Sequence, residues 1–290
     1  MTAHLLHVGY PKTGTNYIRR WFAAHPELAF AHGGIGGFYD VYAMAALGPA
    51  PPPAWRVTSL ENFVLPKPRP GDPENIPVSA WVEGRTRICA RLADFFPGAH
   101  VLIVTRGYAG MSLSSYSQYV RSGGVLTVEQ LRLLGVGDWL DYEGAEAEYR
   151  AAFGADRVTI LPYELLRDRP HAFFGALAAR LGIAAHDPPS GHPNRSLSPV
   201  ELAWYPRLAA QIDRWPLPGF VKRRARRRLA RFAFTNGLER PIAWLQRWRP
   251  LPPVSADMLS IEEMRQQFPA SAALRDLAEY QPYLADYFLA

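Results

Sequence analysis

Apolar positions along the chain alternate between short runs and helical stripes. Residues 4–9, HLLHVG, form a mostly apolar run ending at glycine. In 16–25, NYIRRWFAAH, Ile18, Trp21 and Phe22 fall on one helical face while Arg19 and Arg20 point elsewhere. The pair predicts strand, tight loop, helix. A second short strand is expected at 28–31. The stretch 85–96 has the stripe of an amphipathic helix with Ile88, Leu92 and Phe95 or Phe96 inward, closed by Pro97-Gly98. Residues 100–105, HVLIVT, carry the strongest buried-strand signal in the chain. A turn at 106–109 and a helix to about Arg121 should follow, then a helix at 138–153. The pattern repeats as a strand at 157–161 and a helix at 170–181 closed by Gly182. Strands alternating with helices predict an α/β fold: a three-layer, P-loop-like parallel sheet flanked by helices. Beyond 199 the chain reads as helical and rich in aromatics, with proline breaks.

Between these units lies a proline-rich insertion, about 33–80, interrupted by one predicted strand at 56–60. Long insertions of this kind often act as lids over a substrate. The expected organisation is a core over 1–200 carrying that insertion, with a helical extension over 201–290 packed on the same domain.

Composition narrows the class. The chain has 290 residues, 48% of them hydrophobic, and no apolar run long enough to span a bilayer. Its first residues lack a basic, apolar leader, so a cytoplasmic protein is expected. A lone cysteine, Cys89, excludes an internal disulfide framework and a thiolate zinc cluster, and is most simply core. The eight histidines show no helical metal-binding spacing, so no metal is expected. Net charge is +6, but 222–231, KRRARRRLAR, holds seven cations and no acid, and removing those seven leaves −1. Only Lys12, Lys67 and Lys222 are lysines among 32 basic residues. A lysine inside a glycine-bearing turn is therefore conspicuous.

That turn is Gly9-Tyr10-Pro11-Lys12-Thr13-Gly14-Thr15-Asn16. Between a strand and a helix, its backbone N–H groups and the positive helix end can cradle an anionic phosphate. Gly9 and Gly14 have Walker A spacing, but the lysine precedes the second glycine and the Mg²⁺-holding hydroxyl beside it is missing. Residues 11–15, PKTGT, resemble instead the phosphosulfate-binding loop of the sulfotransferase family, Pro-Lys-Ser/Thr-Gly-Thr followed by Thr or Ser. Asn16 departs from it, though its amide can still donate to a phosphate.

The resemblance implies metal-free binding of 3′-phosphoadenosine 5′-phosphosulfate (PAPS), with adenosine 3′,5′-bisphosphate as product. Pro11, Lys12, Thr13, Gly14, Thr15 and Asn16 would hold the phosphosulfate. The family pattern for the 3′-phosphate is an arginine at a strand end and a serine eight residues on, which Arg106 and Ser114 match. Gly107-Tyr108 replace its usual Asn-Pro, and Ala109 its usual acid. An arginine fork suits phosphate oxygens. Residues 160–170, ILPYELLRDRP, resemble the family's Y-E-x-L segment with Arg169 inserted. There Tyr163 either faces the adenine or is a core tyrosine. Asn194 and Ser196, in 194–199 NRSLSP, resemble a segment that closes over the nucleotide. Ser198 before Pro199 also reads as a helix start.

Attack by an acceptor hydroxyl calls for a general base. Glu61 is the first candidate, because 58–62, TSLEN, resembles the family's S-x-E segment facing the acceptor. His32 is second, since some members use histidine, and Asp40 third. The expected activity is transfer of a sulfuryl group from PAPS to a hydroxyl or amine of a small-molecule, carbohydrate or lipid acceptor. Two alternatives stay open: an ATP-Mg kinase or NTPase, and a non-catalytic anion-binding module acting through 222–231. As a helix, that run would be positive on nearly every face. It could serve as an electrostatic funnel, dock an anionic polymer or membrane surface, or be merely solvated. It offers only Leu229 and nearby Phe232 as apolar companions, so nucleic-acid binding is not expected.

Overall fold

The computed structural model describes residues 3–30, 54–64, 78–128, 130, 140–191, 197–235, 237–255 and 272–289. In chain order its elements are β1 (Ala3–His7), α1 (Thr15–Ala24), β2 (Leu28–Ala29), β3 (Trp55–Ser59), α2 (Val78–Phe95) and β4 (His100–Thr105). Next come α3 (Tyr108–Arg121), α4 (Tyr142–Phe153), β5 (Val158–Pro162), α5 (Tyr163–Asp168) and α6 (Pro170–Leu181). After these follow α7 (Pro199–Arg214), α8 (Gly219–Thr235), α9 (Glu239–Trp248), α10 (Ala272–Arg275) and a closing 3-10 turn, Gln281–Tyr287. The chain divides into two compact units. One comprises Met1–Gly107, Trp139–Pro193 and Phe268–Ala290, the other Tyr108–Asp138 and Asn194–Gln267.

The first unit holds a five-stranded sheet of order β2-β3-β1-β4-β5, parallel throughout. Leu5 pairs with Val57 on one side of β1 and with His100 on the other, and Ile103 pairs with Ile160. Leu5, Leu6, Val57, Val101 to Val104, Ile160 and Leu161 are all buried, as strands covered on both faces require. From β1 the chain runs to β3's side of the sheet, whereas β4 leads to β5 on the opposite side. The carboxyl ends of β1 and β4 therefore flank a topological switch point, the crevice where open α/β sheets bind ligands. The sheet is flanked by helices and the C-terminal region is helical, as the alternating pattern predicts.

Helix α1 buries Tyr17, Ile18, Trp21 and Phe22, with Trp21 stacked on Phe174 at 4.7 Å. Helix α2 begins at Val78 rather than at 85, and its inward stripe is Arg85, Cys89 and Leu92. Ile88, expected inward, is only half-buried, and of the pair Phe95 and Phe96 the first is 72% exposed. The stripe steps on to Phe96, whose ring meets His4 at 4.3 Å. Burial pushes the Cys89 thiol up to about 12, with the Glu148 charge adding to the effect, so it is an inert core thiol. Buried Arg85 joins α2 to α4, donating to Glu148 at 2.9 and 3.0 Å and to the Asp141 carboxylate at 3.0 Å. Asp141 also caps α4 by accepting from the Gly144 N–H.

In the second unit α7 starts as the sequence suggests. The Ser198 hydroxyl accepts from the Glu201 N–H while the Glu201 carboxylate accepts from the Ser198 N–H, with Pro199 in the first turn. Helix α8 buries Leu229 and Ala233, α9 buries Ile242, and Trp204 of α7 donates to Gln246 of α9 at 2.7 Å. No helix among the described residues is long and apolar enough to cross a membrane.

Candidate active site

Two strand tips build the site. Past His7 the chain stays paired with β4, since the Val8 N–H donates to the Leu102 carbonyl and the Tyr10 N–H to that of Val104. Gly9 runs so close to β4 that a β-carbon there would lie 3.0 Å from the Val104 nitrogen. Only at Pro11 does the loop leave the sheet. Lys12 then takes φ 68° and Gly14 φ 81°. A left-handed lysine is strained by about 1–2 kcal/mol. Left-handed residues alternating in this way build backbone concavities that accept anions. Gly14 is also the N-cap of α1, whose first-turn N–H groups at Thr15 and Asn16 lack intrahelical acceptors.

The hydroxyls divide their roles. Thr13 is fully buried and donates to the Tyr10 carbonyl at 2.6 Å, so it can offer a ligand its amide N–H but not its side chain. The Thr15 Oγ1 is buried with no partner among the described residues, which leaves it open to a polar ligand. Asn16 is exposed.

Arg106 leaves the tip of β4 and turns to this loop. Its Nη1 donates to the Lys12 carbonyl at 2.8 Å, and its guanidinium lies 4.6 Å from the centre of the Tyr163 ring. The buried Nε has no partner among the described residues. Tyr163 begins α5 at the tip of β5, and its ring edge would stand 3.2 Å from a β-carbon placed on Gly14. Lys12, Gly14, Arg106 and Tyr163 are thus one cluster along the carboxyl edge of the sheet.

Arg106 is itself held from behind by residues that the sequence pattern does not single out. The Tyr142 hydroxyl donates to the Arg106 carbonyl at 2.6 Å. The Glu164 carboxylate accepts from the Gly107 N–H at 3.1 Å and from the Tyr287 hydroxyl at 2.8 Å. Burial raises the Glu164 pKa, against the bond from Tyr287. A β-carbon on Gly107 would meet Asp286 at 2.6 Å, so the C-terminal turn packs directly on this glycine. Glu164 was legible only as the second letter of the Y-E pair.

On the other side of β1, Glu61 opens a 3-10 turn one residue after β3. It lies within electrostatic reach of Arg19, a half-buried residue of α1 whose pKa burial lowers and the Glu61 charge raises. Arg19 donates through Nε to the Ser59 hydroxyl at 3.0 Å and through Nη2 to the Ser59 carbonyl at 2.8 Å. Ser59 also bonds His7 Nδ1 at 2.8 Å. Burial, and then the Arg19 charge, lower the His7 pKa to about 3, so its imidazole is neutral. This His7–Ser59–Arg19 chain ties α1 to β3 beneath the loop. It too is invisible in the sequence, because its members are distant along the chain.

Ser114 is half-buried on α3, in the second unit. His32, Asp40, Asn194 and Ser196 lie outside the described residues. Among the described residues no group of three or more His, Cys, Asp or Glu side chains could hold a metal ion.

No model of a known protein family matches this sequence, and no curated protein matches it. Solved structures do. The chain is similar to a sulfotransferase from Alicyclobacillus acidocaldarius at 16% identity and a TM-score of 0.45, over 73% of this chain and 94% of that one. It is also similar to the mouse sulfotransferase SULT7A1, solved in complex with PAP, at 14% identity and a TM-score of 0.36, over 75% of this chain and 68% of that one. Both are likenesses of fold.

Proposed function

We propose that the chain is a sulfotransferase that moves a sulfuryl group from PAPS to a hydroxyl or amine of an acceptor. The observation that supports this reading is the 2.8 Å bond from Arg106 to the Lys12 carbonyl, which ties the arginine at the tip of β4 to the lysine-bearing loop at the tip of β1. A nucleotide phosphorylated at both ends needs such a pair, whereas ATP needs only the first. The residues fit the ligand. Thr15 Oγ1 and Arg106 Nε are buried and unspent, and Lys12 and Gly14 hold the strained loop.

PAPS supplies an activated sulfuryl group with a phosphate as leaving group. Lys12 and the N–H groups of Thr13, Gly14, Thr15 and Asn16 stabilise negative charge that grows on that leaving side. Arg106 orients the nucleotide through its 3′-phosphate, with Tyr163 offering an aromatic face to the base. Ser114, Asn194 and Ser196 belong to the same proposal. Glu61, or else His32, accepts the acceptor's proton. Arg19 positions Glu61 through charge and through its grip on Ser59. In-line transfer then depends on positioning and electrostatics.

The test is thermal shift of the full chain with adenosine 3′,5′-bisphosphate, against ATP plus Mg²⁺. At a hundred times its Kd, a ligand of the folded state adds about 2.7 kcal/mol, a rise in Tm of roughly 4–5 °C for a chain of this size. The bisphosphate should produce that rise, and Arg106→Ala should abolish its advantage over adenosine 5′-phosphate. A shift with ATP plus Mg²⁺ alone would overturn the reading in favour of a kinase. Labelled sulfate transfer onto mixed sugars, phenols and lipid headgroups then identifies the acceptor.

A further inference from the structure

The basic run is not positive all round. Helix α8 turns Leu229 and Ala233 inward. Two of its seven cations are committed on that side. Lys222 donates to the Asp213 carbonyl at 2.7 Å, and Arg226 donates to the Asp213 carboxylate at 3.3 Å and to the Gly123 carbonyl. The opposite face carries Phe220, Arg223, Arg224, Arg227, Arg231 and Phe234, all exposed and recurring at helical spacing. None of these four arginines has an acidic partner among the described residues.

Apolar exposure is concentrated in the same stretch. Of the seven large hydrophobic residues exposed among the described ones, six lie between 215 and 248: Trp215, Leu217, Phe220, Phe234, Trp244 and Trp248. Trp215, Leu217 and Phe220 lead into α8, and Phe234 closes it. Trp244 and Trp248 stand one turn apart on α9, with ring centres 6.1 Å apart and 59% and 72% exposed. A merely solvated helix, or a funnel for a small anion, has no use for bared tryptophans. Single-stranded nucleic acids stack successive bases on neighbouring aromatic plates. On the arginine-bearing helix Phe220 and Phe234 sit fourteen residues apart, roughly 21 Å along the axis, while the neighbouring pair Trp244 and Trp248 lies on α9, which has no such run of cations. Arginines between aromatic anchors on an outward helix face match the interface of a bilayer, with guanidinium groups at anionic headgroups and indoles at the boundary with the acyl chains.

We propose that the outer faces of α8 and α9, with the 215–220 segment, form a docking surface for membranes carrying anionic phospholipid. The charges complement the headgroups, and the aromatics supply the shallow insertion that charge alone does not give. Binding of this kind is peripheral and reversible, and it does not depend on the reaction proposed above.

Co-sedimentation of the full chain with phosphatidylcholine–phosphatidylserine vesicles, against phosphatidylcholine alone, tests it. Tryptophan emission is followed in parallel. Binding to the mixed vesicles only, with a blue shift and weakening at high salt, is expected. Replacing Arg223, Arg224, Arg227 and Arg231 by Gln should lower partitioning about fivefold per arginine, on the order of several hundredfold together. Trp244→Ser with Trp248→Ser keeps every charge and should cost on the order of tenfold per residue and reduce the blue shift. All six positions are exposed, and an unchanged Tm verifies that each variant is folded. Failure of the wild-type chain to bind the mixed vesicles overturns the proposal. So does binding to a nucleic-acid duplex at least as tight as to vesicles and indifferent to the tryptophan pair.

Discussion

Acid should unfold the sheet-bearing unit through its strand histidines. Each bonds a hydroxyl on a neighbouring strand: His4 with Thr58 at 2.9 Å, His7 with Ser59 at 2.8 Å, and His100 with Thr159 at 2.7 Å. Burial, reinforced by Arg56, Arg19 and Arg180 respectively, lowers their pKa values from 6.5 to about 4, about 3 and about 4. The unfolded chain takes up protons that the folded chain refuses. Stability is therefore full above 6.5, falls as pH drops below it, and stops falling for each group near its folded value. At about pH 5 each fully neutral histidine withdraws roughly 2 kcal/mol. His7 and His100 are buried and contribute in full, while half-buried His4 is better screened and contributes less. A loss of about 4–6 kcal/mol follows, comparable with the whole stability of many domains. Urea unfolding near neutrality and again at about pH 5 measures it, and His100→Gln should remove about 2 kcal/mol of the difference. Stabilities equal at the two pH values to within about 1 kcal/mol would refute the reasoning. NMR showing His7 and His100 titrating above pH 6 would do the same.

Lys12→Ala should lower sulfuryl-transfer turnover by roughly a hundredfold or more, as loss of one preorganised oxyanion donor does elsewhere, with Tm little changed because alanine keeps the left-handed conformation and its strain. Gly14→Ala forces a left-handed alanine and a contact of 2.7 Å with Leu166. It should cost about 2–4 kcal/mol in denaturant unfolding, and bisphosphate affinity should fall with it. Arg85→Ala removes a buried guanidinium from the partly exposed carboxylates of Glu148 and Asp141, which keep bonds from Thr86 and Gly144, and a loss of about 2–3 kcal/mol is expected by chemical denaturation. Arg85→Met, which keeps the volume, should be equally harmful if the lost bonds, rather than the cavity, dominate.

Several parts of this picture were legible in the residues. The run HVLIVT could only be a doubly covered strand, and β4 occupies 100–105 as read. Gly182 ends α6 in the left-handed conformation, and Ser198-Pro199 starts α7, because those functions depend on local backbone chemistry. The PKTGT loop was visible for the same reason. The stripe left Phe95 and Phe96 as equal choices, and only packing decided for Phe96.

The supports of the site were not legible. Glu164, Tyr142 and Tyr287 converge on Arg106 and Gly107 from segments far apart in sequence, and His7, Ser59 and Arg19 meet across two strands and a helix. Nor did the letters of 222–231 show which cations face inward, a choice made by where α8 lays Leu229 and Ala233. Periodicity, turn residues and a loop motif act over a few neighbouring residues, so the chain carries them by itself. Pairings across the sheet depend on strand order and burial, which exist only once the backbone has closed on itself.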